Sequence, residues 1–100
     1  MAEYIAIADH TAEYNKSFSY VRLKSTDKAF ACAEGARRAF NLEKVYCVHI
    51  CKKVKKDTYH SFCLIYPSGE TRDIQKEEHW SNSIDFYVPD VAFEKAPYLA

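Results

Sequence analysis

Three side chains with soft or borderline donor atoms recur at alternate positions in Cys47-Val48-His49-Ile50-Cys51. Thiolate and imidazole are the donors that zinc-class metals prefer. In an extended chain, residues two apart share a face, but they stand about 6.5–7 Å apart along it. Metal–ligand bonds of about 2.0–2.3 Å do not bridge that spacing on a straight strand. The pattern therefore predicts one half-buried face of a core strand, with no metal site and no cofactor. Cys32 and Cys63 are the further thiols that could complete such a set in space.

Nucleophilic chemistry is equally sparse. Cys51 is followed by Lys52 and Lys53, the one cysteine context here that would favour a thiolate. His10, His49, His60 and His79 fall in no local catalytic signature. Two glycines build no phosphate-cradling loop. The chain is expected to be non-catalytic, with a thiol enzyme centred on Cys51 as an alternative.

Charge is more informative. The 100 residues carry no net charge, which removes any bulk attraction to nucleic acid or membrane. Yet residues 16–56 hold 11 Lys/Arg against 3 acids, and residues 57–100 hold 3 against 8. Arg37, Arg38, Lys44, Lys52, Lys53, Lys55 and Lys56 are the candidate partner- or anion-binding residues. Tyr59, with Tyr46 and His60, supplies neighbouring rings, and Trp80 is a loop aromatic suited to a lid or an anchor. A lysine-rich turn also protects sheet edges, so solvated faces account for the same residues.

The elements that would position these groups follow in order. Residues 3–9 alternate as a strand, with Ile5 and Ile7 on one face and Tyr4, Ala6 and Ala8 on the other. Residues 17–24 read as a second strand whose two faces are both apolar, as a bulge or two-sided burial would require. Ser25-Thr26-Asp27 begins a helix running to Phe40, its core stripe Ala29, Cys32, Ala33, Ala36 and Phe40. Gly35 implies a close backbone approach, and Asn41 suits a left-handed end to the helix. Residues 44–53 form a strand apolar on both faces, hence central in its sheet. Residues 59–66 return antiparallel, 70–75 offer a short partner, 76–82 a loop, and 84–88 a last strand. Pro89 stops it, and Asp90 caps a helical turn over 91–95.

These readings give one α+β domain over residues 1–100. A four- to five-stranded, mainly antiparallel sheet carries one principal helix packed on one face, in the order β-β-α-β-β-β. No stretch is long enough to span a bilayer. The start Met-Ala-Glu-Tyr-Ile lacks a basic signal region, so a cytoplasmic protein with reduced cysteines is expected.

The run Ser17-Phe18-Ser19-Tyr20-Val21-Arg22-Leu23-Lys24-Ser25-Thr26-Asp27-Lys28-Ala29, an Ala-rich helix, and then Val45-Tyr46-Cys47-Val48 form a recognisable pattern. It resembles small phage or mobile-element counter-defence proteins of the anti-CRISPR kind. The resemblance spans residues 15–66 and is one of structural pattern, so no functional position is carried over. It implies a non-catalytic inhibitor that occupies a surface of host machinery inside the host cell. The expected function is a small binding protein guided electrostatically to a protein partner. The alternative is a nucleic-acid or nucleotide module using the Lys/Arg-rich end with its tyrosines. No membrane partner is expected, and a homodimer is compatible.

Overall fold

Alternation in Tyr4-Ile5-Ala6-Ile7-Ala8 leaves no polar face on this strand, so it must be covered on both sides. The fold does this with a helix on one face of a sheet and a short carboxyl-side segment on the other. The computed structural model describes residues 3–10, 18–42, 44–73 and 85–94. In chain order these form β1 (Tyr4–Asp9), β2 (Phe18–Arg22), α1 (Lys28–Ala39), β3 (Cys47–Lys55), β4 (Thr58–Ile65), β5 (Thr71–Asp73), β6 (Asp85–Tyr87) and α2 (Asp90–Glu94).

The sheet runs β2-β1-β3-β4-β5, with β6 also paired to β4. Every pairing is antiparallel. Strand β5 meets Cys63 to Ile65 and β6 meets Thr58 to His60, so the two share the outer edge of β4. The described residues thus form an α+β domain whose sheet has two short strands beyond the four long ones.

Helix α1 starts at Asp27, whose carboxylate accepts from the backbone N–H groups of Ala29 and Phe30 at 3.0 and 3.3 Å. The stripe against the sheet is Ala31, Gly35 and Ala39, flanked by Cys32, Ala36 and Phe40. Ala29 and Ala33 are exposed, so the helix is turned from the expected face. A Cβ on Gly35 would lie 2.5 Å from Ile50 Cδ1 and 3.2 Å from Ala6 Cβ. The expected close approach is there, and it fixes which face turns inward. The left-handed end expected at Asn41 is absent. Phe40 ends the helix in right-handed geometry, and the positive φ falls on Lys44 instead.

Under the helix lie Tyr4, Ala6, Ala8, Val21, Leu23, Val48, Ile50, Phe62 and Ile65. The opposite face buries Ile5, Ile7, Cys51, Tyr59 and Val88, with Phe18, Tyr20, Phe86 and Phe93 against them. Both faces of β2 are therefore used, which resolves its mixed parity. The expected grouping of Phe62 with Leu64 and Tyr66 does not hold. The register slips between Ile50 and Cys51, and Phe62 joins the helix side with Cys63 and Ile65. Leu64 and Tyr66 pack with Cys47 on the other. The expected 76–82 loop, with His79 and Trp80, and the Tyr98-Leu99 pair lie outside the described residues.

Candidate functional site

Two groupings combine polar chemistry with a defined position. The first is on the sheet face opposite α1. Asp9 on β1 stands directly across from Cys47 on β3, and Ile7 across from His49. Asp9, Cys47 and His49 therefore share a face, and one donor atom from each lies within 4.8 Å of the others. Cys47 Sγ donates to Asp9 Oδ2 at 3.9 Å. The Tyr46 backbone N–H donates to the Asp9 carbonyl at 2.8 Å, holding the strand ends together.

His49 is buried, with Nδ1 3.0 Å from Ser61 Oγ and its ring edge-on to Phe86 at 5.0 Å. Ser61 is itself fully buried. Burial lowers the pKa of His49, partly countered by the Asp9 charge. Burial, then the Asp9 charge and hydrogen bond, push the Cys47 thiol up to about 11. Burial thus favours the uncharged forms of the imidazole and the thiol beside Asp9.

Cys51, the thiol singled out for its lysine neighbours, is 0% exposed. Burial drives its pKa up, and its hydrogen bond to Ser61 only partly opposes this. The lysines that follow it in sequence turn toward solvent or Glu3, so their charge does not reach the sulfur. Cys51 and His49 instead meet through Ser61. The sequence spacing failed to find Asp9, which comes from a neighbouring strand. The available signal was an acid on the parity of the buried Ile5 and Ile7.

The second grouping is the far end of β3. Pairing aligns Lys55, Thr58 and Tyr87 in one row, and Lys52, His60 and Asp85 in another. Tyr87 is 73% exposed and Val54 56%; Lys52, Lys55 and Lys56 are exposed beside them. No described acid lies within ion-pair distance of these three lysines. His60 Nδ1 meets Asp85 Oδ1 at 2.8 Å.

The other basic candidates divide. Lys53 pairs with Glu3 at 3.2 Å. Arg38 is engaged within the fold, reaching the Arg22 carbonyl at 2.7 Å and Glu34 at 3.3 Å. Arg37 is exposed on α1. Lys44 precedes β3, so roughly 25 Å of strand separates it from Lys52 to Lys56. Arg37 and Arg38 therefore do not act as one patch, and Lys44 belongs to the opposite end of the strand. Tyr59 is withdrawn altogether: it is 1% exposed and packs on Phe93, so its ring offers a partner nothing. Tyr87 is the aromatic that takes its place. Trp80 lies outside the described residues.

No described helix is long and apolar enough to cross a membrane. No family model, curated protein or solved structure matches the chain.

Proposed function

We propose that the protein is a small, non-catalytic binding protein that engages an acidic protein surface through the far end of β3 and its neighbours. The observation that carries this reading is the exposed Val54 and Tyr87 among Lys52, Lys55 and Lys56. Exposed apolar groups supply the desolvated centre of an interface, and cations that form no ion pair among the described residues supply orientation and encounter rate. Aromatic residues such as tyrosine are enriched at such centres. An inhibitor that sits on a host defence complex in the cytoplasm, as the sequence resemblance implies, is one form of this activity.

The alternative use of the same groups is a single-stranded nucleic acid, with Tyr87 stacking on a base and the lysines following phosphates. The protein reading is favoured because, among the described residues, one exposed ring accompanies the lysines, whereas strand binding draws on successive stacking platforms. Affinity capture from host lysate, repeated after nuclease digestion, separates the two. The expected result is one defined partner retained by the wild type and lost from both Lys52→Glu/Lys55→Glu/Lys56→Glu and Tyr87→Ala. Retention on oligo-dT at low salt that is lost in the same variants would replace the protein reading with the nucleic-acid one. Capture unchanged by either variant removes this surface from the function.

A further inference from the structure

We infer that Asp9, Cys47 and His49 form a binding site for one zinc-class divalent metal ion, clamping the end of β1 to the start of β3. One thiolate, one imidazole and one carboxylate form a mixed S/N/O set that suits Zn²⁺ and Co²⁺ and does not suit Mg²⁺ or Ca²⁺, which favour oxygen alone.

Geometry is the second support. Asp9 and Cys47 are directly opposed across antiparallel strands, where Cβ atoms stand about 4.5–5.5 Å apart. That removes the difficulty that excludes three ligands from one straight strand. Tetrahedral bonds of about 2.0–2.3 Å place ligand atoms roughly 3.3–3.8 Å from one another. The Cys47 Sγ to Asp9 Oδ2 distance is already 3.9 Å. The outer limit of 4.8 Å for the trio asks for about 1 Å of side-chain adjustment on a backbone held by strand pairing.

The surroundings complete the case. Metal-bound histidines hold their second ring nitrogen in a hydrogen bond, which fixes tautomer and orientation. Ser61 Oγ, fully buried, stands 3.0 Å from His49 Nδ1, leaving Nε2 as the coordinating nitrogen. A dication balances the thiolate and carboxylate, giving a neutral centre in a mostly buried setting. Binding displaces the Cys47 proton to solvent. Cys51 takes no part, because it lies beyond His49 and bonds to Ser61.

The test is a Co²⁺ titration of the reduced, metal-free full chain, followed by absorbance and calorimetry. One equivalent is expected to bind with a near-ultraviolet sulfur-to-cobalt charge-transfer band, and Zn²⁺ is expected to displace it. Cys47→Ser abolishes the band, while Cys32→Ser/Cys63→Ser retains it. Asp9→Asn and His49→Gln weaken binding, and Ser61→Ala weakens it by about 10- to 100-fold. Far-ultraviolet circular dichroism verifies that the conservative Asp9→Asn and Cys47→Ser chains are folded. A wild type that binds no equivalent, a band that survives Cys47→Ser, or an Asp9→Asn chain that binds as tightly as the wild type overturns the assignment.

Discussion

Glu34 sits in the middle of α1 yet serves the chain before it. Its carboxylate accepts from the backbone N–H groups of Lys24 and Ser25 at 3.0 Å each, from Ser25 Oγ at 2.7 Å and from Arg38 at 3.3 Å. Burial raises its pKa, but the bonds from Lys24, Ser25 and Arg38 outweigh that and bring it down to about 2. A carboxylate depressed on folding stabilises above its unfolded pKa and loses that contribution as pH falls through the folded one. Wild-type stability should therefore fall between about pH 4.5 and pH 2, by on the order of 3 kcal/mol from this group. Glu34→Gln should lose a comparable amount at neutral pH and show a flatter acid limb in urea titrations across that window. Equal acid limbs in the two chains would remove Glu34 as the source. Nothing in the sequence signalled this role, because the donors that reach a mid-helix acid depend on where the preceding loop returns. Gly35, one residue on, was legible: a glycine inside a helix costs about 1 kcal/mol relative to alanine, and the contact with Ile50 gives the reason.

Among the elements, the strands were read more closely than the helix. Tyr4 to Ala8 and Cys47 to Cys51 keep strict alternation, so their faces follow from parity alone. Helix α1 carries five alanines and a glycine among its twelve residues. Such small side chains differ little from face to face, and the inward stripe moved to Ala31, Gly35 and Ala39. The slip at Phe62 was illegible for a different reason: a bulge is a property of two strands and leaves no mark on one. The covering segment β6–α2 was foreseen as elements but not as a lid. Arg22 holds it by a 2.8 Å ion pair to Asp90 and by stacking over Phe93, 4.1 Å from the ring centre. Phe93 also meets Tyr20 and Tyr59 edge-on. Phe93→Ala should cost about 2–3 kcal/mol, below a fully buried phenylalanine because the ring is only half-buried. It should also raise binding of a hydrophobic dye to the native state. Removing the ion pair alone with Asp90→Asn should cost clearly less than Phe93→Ala, since both partners are well exposed. The opposite ranking would mean that charge, rather than packing, holds the segment down.

For the molecule as a whole, both apolar layers share β1 and β3, so neither layer can open without disturbing the other. Denaturation followed by far-ultraviolet circular dichroism and by Cys51 alkylation should give coincident midpoints, as one cooperative unit requires. Cys32 and Cys63, half-buried, should react first in the native state, and Cys51 only on unfolding. Early Cys51 labelling would separate the β6–α2 side from the rest as an independently opening unit. The candidate sites divide along the same line. The basic end was legible as composition, but its membership was not: the pairing of Lys53 with Glu3 and the reach of Arg38 to the Arg22 carbonyl join residues far apart in the chain, and they removed Lys53 and Arg38. Asp9 joined Cys47 and His49 only once two strands were laid side by side.

The position of β6–α2 in the chain has a bearing on how the protein is made. Synthesis delivers residues 85–94 after every strand they cover, so Ile5, Ile7 and Tyr59 have no roof until that segment has emerged. A product that stops short of Phe93 would present this apolar surface to chaperones and proteases. Arrival of this segment, rather than pairing of the four long strands, is thus the step that closes the second apolar face.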